Sequence, residues 1–118
     1  MPGSFKARGN LTDCNGNSHR QKEGATLICC LQEAAILFGS SADDVFFTRC
    51  VCQKIRDICW QIENAYGEAV PVLVTNGQSP EELIEAVKNR IASDGTIGGA
   101  ARAEIIEGLN AVLTMING

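Results

Sequence analysis

The sequence predicts an all-α domain: a four-helix, bundle-like body made of two helical hairpins, with an extended N-terminal arm and one short extended segment near 70–75. Three observations carry that expectation. Apolar residues recur at three- and four-residue steps through most of residues 25–118. Glycines, serines and a proline punctuate those runs where helices should stop and start. Residues 1–24 have almost no periodic apolar signal. The expected organisation is therefore a polar arm, 1–24, and a helical domain, 25–118.

The arm is rich in Gly, Asn, Ser and Thr, and Phe5 and Leu11 are its large apolar anchors. A polar arm that takes up a fixed position must be held by its own body or by a partner. The first helix is expected over 25–38, where Leu27, Leu31, Ala34, Ala35 and Phe38 share a face and Gly39 provides the stop. Ser41-Ala42-Asp43-Asp44 then reads as the next helix start, a hydroxyl cap followed by acids in the first turn.

The second helix, about 42–66, is the most informative element. Val51, Ile55, Ile58, Ile62 and Ala65 fall within about 80° of one another, a narrow seam made for packing. Cys52, Cys59 and Tyr66 flank the seam at seven-residue spacing. Phe46, Gln53 and Trp60, also seven apart, lie on the other side, with Arg49 and Arg56 beside them. A helix packed on one side needs one apolar face. The second face, with its Arg–Trp combination, points to a contact surface, with packing inside the same domain and a ligand site as the alternatives. Phe46, Arg49, Gln53, Arg56, Trp60 and the arm's Phe5 are the interface candidates.

Gly67 closes that helix, and Val70-Pro71-Val72-Leu73-Val74 is a β-prone stretch ahead of the turn Thr75-Asn76-Gly77. A lone strand cannot satisfy its backbone, so this segment is expected to be a buried linker or to pair with a strand of another subunit. Ser79-Pro80-Glu81-Glu82 is a strong helix start. Leu83, Val87 and Ile91 mark the buried face of the third helix, and Gly95 its stop. The last helix, about Gly99 to Ile116, carries Ala101, Ile105, Leu109, Val112 and Ile116.

Length and charge bound the function. With 118 residues the chain fits one domain. Apolar residues make up 45% and no long uncharged apolar run exists, so no membrane span is expected. Ala25–Phe38, followed by Ser40, Ser41 and Ala42, has the outline of a signal-peptide core. It starts late and contains Glu33, so a cytoplasmic or virion setting is expected over secretion. Residues 1–24 hold four basic and two acidic groups, +2. The rest holds six basic and twelve acidic groups, −6. An acidic body lacks the basic footprint that nucleic-acid binding needs. A weakly basic arm on it could reach a neighbouring copy.

The six cysteines, 14, 29, 30, 50, 52 and 59, allow three readings. A disulfide framework would join Cys14 to Cys29 or Cys30, or Cys59 to a first-helix cysteine. A metal or cluster site is poorly served by Cys-Cys and Cys-x-Cys spacings. On a helix Cys50 and Cys52 point about 200° apart, and Cys29 and Cys30 about 100°. Cys14, His19 and Cys30 would be the first candidates for such a site. The reading favoured by position is that Cys30, Cys52 and Cys59 pack as small hydrophobes, with Cys50 on the polar side as the reactive or interface thiol.

Enzyme chemistry finds little support. The single histidine, His19, sits in the arm, a poor place for a preorganised base. The acid pairs Asp43/Asp44 and Glu81/Glu82 sit at helix starts, where the helix dipole accounts for them. Gly95-Thr96-Ile97-Gly98-Gly99 has the outline of an anion cradle but lacks the Lys-Ser/Thr of a phosphate loop. No cofactor is implied. The leading expectation is a non-enzymatic assembly subunit of a homo-oligomer or larger complex, such as a virion. The alternatives are a cysteine-based module (stapled and secreted, redox-active or metal-binding) and a small helical binding or inhibitor protein.

Overall fold

The computed structural model describes residues 10–12, 18–20 and 25–117. Within them the elements are β1 (Asn10–Thr12), β2 (Ser18–Arg20), β3 (Ala25–Thr26), α1 (Leu27–Ser41), α2 (Val45–Tyr66), β4 (Val72–Leu73), α3 (Pro80–Ala92) and α4 (Gly99–Asn117). The body is all-α, and four helices pack against one another. Each has two neighbours: α1 packs on α2 and α3, and α4 packs on α2 and α3. Seen end-on, the cyclic order is therefore α1, α2, α4, α3, with the hairpins α1–α2 and α3–α4 side by side.

The directions follow from local facts. The turn between α1 and α2 spans residues 42–44, too short for anything but an antiparallel pair. Gly108 of α4 faces Ile58 of α2, while Ala101 and Glu104 share a groove with Gln61 and Asn64 farther along. Those two helices thus run antiparallel. Lys88 of α3 reaches Asn110 of α4 at 3.1 Å across the second hairpin. Consequently α2 and α3 run the same way, and residues 67–79 must return the length of the bundle. At 1.5 Å per residue α3 is about 20 Å long, which six extended residues can span.

That requirement accounts for the extended segment. Its strand β4 pairs antiparallel with β3, Ala25 opposite Leu73 and Thr26 opposite Val72, and the Leu27 amide donates to the Pro71 carbonyl at 3.0 Å. The expectation of a strand from another subunit is corrected here: the partner is the chain's own lead-in to α1. In the arm, Asn10–Thr12 pairs antiparallel with Ser18–Arg20 and places Leu11 opposite His19.

The ends of the helices differ in places from the sequence expectation. α1 begins after Thr26, whose hydroxyl accepts from the Cys29 amide at 3.2 Å. It does not stop at Gly39. Gly39 stays helical with its α-carbon side toward the Thr48 methyl, and Ser40 and Ser41 bond back to the Leu37 and Phe38 carbonyls. Asp44, not Ser41, caps α2, accepting from the Phe47 amide at 3.0 Å. Gly67 ends α2 with φ of 64°, a left-handed conformation that favours glycine. α3 has a full capping box: Ser79 accepts from the Glu82 amide, and the Glu82 carboxylate accepts from the Ser79 amide. Ser93, two residues before Gly95, caps its other end.

The core lies where the four stripes meet: Leu27, Leu31 and Ala34 of α1, Val51, Ile55, Ile58 and Ile62 of α2, Leu83, Val87 and Ile91 of α3, and Ile105, Leu109 and Val112 of α4. Ile84 and Leu113, outside the expected stripes, are buried as well. Gly108 lets α2 and α4 approach closely, since a β-carbon there would lie 3.0 Å from Ile58 Cγ1.

Candidate functional site: the outer face of α2 and its groove with α4

The seam of α2 is buried, and the face opposite it is bare. Phe46 is 79% exposed and Trp60, the chain's one tryptophan, is 65% exposed. Arg49, Gln53 and Arg56, between them, are exposed too. The structure therefore brings the five body residues expected at an interface onto one solvent-facing stripe. Within it the Gln53 amide donates to Asp57 Oδ1 at 3.0 Å, tying two of its polar groups together. Phe5, the sixth candidate, lies outside the described residues.

At the start of α2, Val45 is exposed beside Phe46 in the chain, and Phe47 meets Phe38 edge-on with ring centres 5.8 Å apart. At the other end the Trp60 indole forms one wall of an open groove of about 710 Å³ between α2 and α4. Arg56, Asp57, Gln61, Ala101 and Glu104 contribute to its lining. The Gln61 side-chain oxygen is buried without a hydrogen-bond donor, an uncompensated acceptor beneath the groove.

The cysteines separate into types. Cys29 is disulfide-bonded, whereas Cys30, Cys50, Cys52 and Cys59 are free. Cys14 lies outside the described residues. Cys30 and Cys59 are buried, and burial, reinforced by Glu33 and Glu63 respectively, pushes both thiols up to about 12. A thiol held protonated near neutrality is a poor nucleophile and metal ligand. Cys52 is half-buried and Cys50 is exposed. No group of three His, Cys, Asp or Glu side chains that could hold a metal occurs among the described residues.

Sequence reasoning missed a polar hub at one end of the bundle. Asp94 is only 6% exposed. Its carboxylate accepts from the Tyr66 hydroxyl at 2.7 Å, the Thr96 amide at 2.8 Å and the Thr96 hydroxyl at 2.6 Å, with Arg90 at 3.3 Å. Arg102 donates to the Asp94 carbonyl at 2.9 Å. Those bonds, the Thr96 hydroxyl first, hold the carboxyl well below the usual range. Burial, then the bond to Asp94, pushes the Tyr66 phenol up to about 12. The hub ties α2, α3 and α4 together. Its Asp-Gly-Thr sequence after a helix is an Asx-turn signature that could have disclosed it. Within the Gly95–Gly99 turn, the Thr96 amide is bonded to the protein's own carboxylate.

No helix among the described residues is long and apolar enough to cross a membrane. The chain matches no family model, no curated protein and no solved structure.

Proposed function

We propose that this protein works through protein–protein contact, as a non-enzymatic subunit of a homo-oligomer or larger complex, a virion being one such setting. The outer face of α2 is the contact surface. The observation that carries the reading is Trp60, 65% exposed on the side of α2 away from the core and at the lip of a groove. Exposed tryptophan is costly to hydrate, and tryptophan and arginine dominate the binding energy of interfaces. Phe46, Arg49, Gln53 and Arg56 extend the same stripe. An acidic body of −6 over residues 25–118 speaks for a protein partner over nucleic acid.

Native mass measurement across the micromolar range tests the reading. The wild-type chain is expected above monomer mass. Trp60→Ala, which removes little from the fold, is expected to weaken association by at least about thirtyfold, the size of an interface hot spot of about 2 kcal/mol. A wild-type monomer at every concentration sinks self-association, and unchanged partner capture by Trp60→Ala sinks the face itself.

A second reading has its own support. Disulfides persist in oxidising compartments, and Cys29 is disulfide-bonded. The protein would then be a stapled module of the secreted type. Thiol counting under denaturing conditions with and without reductant separates the two: six free thiols in freshly purified protein would rule the stapled module out.

A further inference from the structure

The groove beside Trp60 has the length and charge to hold an extended basic segment with an aromatic residue at one end. Its α2 wall runs from Arg56 to Ala65, about 14 Å at the helical rise. Four to five extended residues cover that distance. Its charged lining is Arg56 against Asp57 and Glu104, net negative, and among the described residues neither Glu104 nor Arg56 has an ion-pair partner. The rest of the body is acidic as well, so a basic partner is attracted from a distance.

The chain itself supplies such a segment. Phe5-Lys6-Ala7-Arg8-Gly9 joins an aromatic ring to two cations, in the part of the sequence whose net charge is opposite to that of the body. We propose that residues 5–9 of one copy occupy the α2–α4 groove of a second copy. Phe5 packs on the Trp60 indole, and Lys6 and Arg8 lie against Asp57 and Glu104. The proposal rests on the assembly reading above and adds to it the identity of the occupant. Exchange of arms in this way is satisfied by two copies that trade arms across a two-fold, or by copies joined head to tail into a ring or chain.

Charge reversal tests it on the full-length chain. Lys6→Glu/Arg8→Glu and Asp57→Lys/Glu104→Lys change exposed or arm positions, and far-UV circular dichroism verifies that each variant keeps its helices. Native mass and sedimentation are then measured for each variant alone and for the equimolar mixture. Each variant alone is expected to associate roughly tenfold or more weakly than wild type, a gap that narrows in high salt, which screens both the wild-type attraction and the variants' like-charge repulsion. The mixture is expected to regain association, because reversed arms meet reversed grooves. A wild-type chain that remains monomeric overturns the assembly reading together with this one. A wild-type oligomer that Lys6→Glu/Arg8→Glu leaves intact, or a mixture that restores nothing, overturns the arm as occupant and leaves the assembly reading standing.

Discussion

Gly108 offers the sharpest test of the packing. In the middle of a helix, glycine costs about 1 kcal/mol relative to alanine, so Gly108→Ala should stabilise α4 if nothing opposes it. Something does. The new β-carbon would lie 3.0 Å from Ile58 Cγ1 and 3.3 Å from its Cδ1. Carbon atoms prefer about 3.5–4.0 Å, so the first contact is short by about half an ångström or more. Ile58 is buried at 1% exposure and β-branched, hence stiff about its first torsion, and cannot swing away. Overpacking of this kind costs about 1–3 kcal/mol. Taking about 2 against the gain of about 1, Gly108→Ala should destabilise the protein by about 1 kcal/mol. The sign should reverse in an Ile58→Ala background, where the opposing carbons are gone. That substitution alone costs about 2–5 kcal/mol through its cavity, and the second alanine then recovers about 1. The coupling in the double-mutant cycle is thus about 2 kcal/mol. Urea unfolding followed by circular dichroism reads it, each kcal/mol moving the midpoint by up to about 1 M for a chain of this size. Stabilisation by Gly108→Ala in the wild-type background, or equal effects in both backgrounds, refutes the close approach of α2 and α4.

The hub, the free thiols and the α3 cap supply further expected outcomes. Tyr66→Phe removes a hydroxyl bonded to buried Asp94 at 2.7 Å and should cost about 1–2 kcal/mol by urea unfolding at neutral pH. Because the folded carboxyl of Asp94 is depressed, its contribution is present above the unfolded value near about 4 and is lost as pH falls below it. Asp94→Asn should therefore flatten the acid limb of stability against pH. The Tyr66 phenol has the opposite sense, its contribution being lost as pH rises from about 10 toward about 12. Among the free thiols, Cys50 should be alkylated first in the native protein and Cys30 and Cys59 only on unfolding, as mass spectrometry of timed maleimide labelling would record; fast labelling of Cys59 would contradict its burial. Ser79→Ala removes the hydroxyl half of the capping box at α3, leaving the Glu82 carboxylate on the residue-79 amide, and should lower stability by about 1 kcal/mol, with a parallel loss of hydrogen-exchange protection in the first turn.

What the sequence determined by itself is what short-range physics controls. A helical hydrogen bond closes over four residues, so periodic stripes, the Ser79-Pro80 start and the Gly67 stop could all be read locally. So could the second face of α2, because seven-residue spacing fixes which side chains share a side. Helix ends were less legible. At Gly39 the serine hydroxyls that follow extend α1 by bonding its last carbonyls, a contest between neighbours that composition does not settle.

Tertiary structure decided everything that joins distant residues. The strand at 72–73 finds Ala25 and Thr26 because two parallel-running helices force the chain back along the bundle, and no local signal encodes that return. Asp94 is buried because Tyr66, 28 positions earlier, and Arg102 converge on it. The fate of Trp60 depends on how many neighbours α2 acquires. In the square of four helices the seam of Val51, Ile55, Ile58 and Ile62 is wide enough to meet both α1 and α4. Nothing in the described body then remains to cover the opposite side, and the second apolar face, recognisable in the sequence as a pattern, becomes a surface turned to solvent.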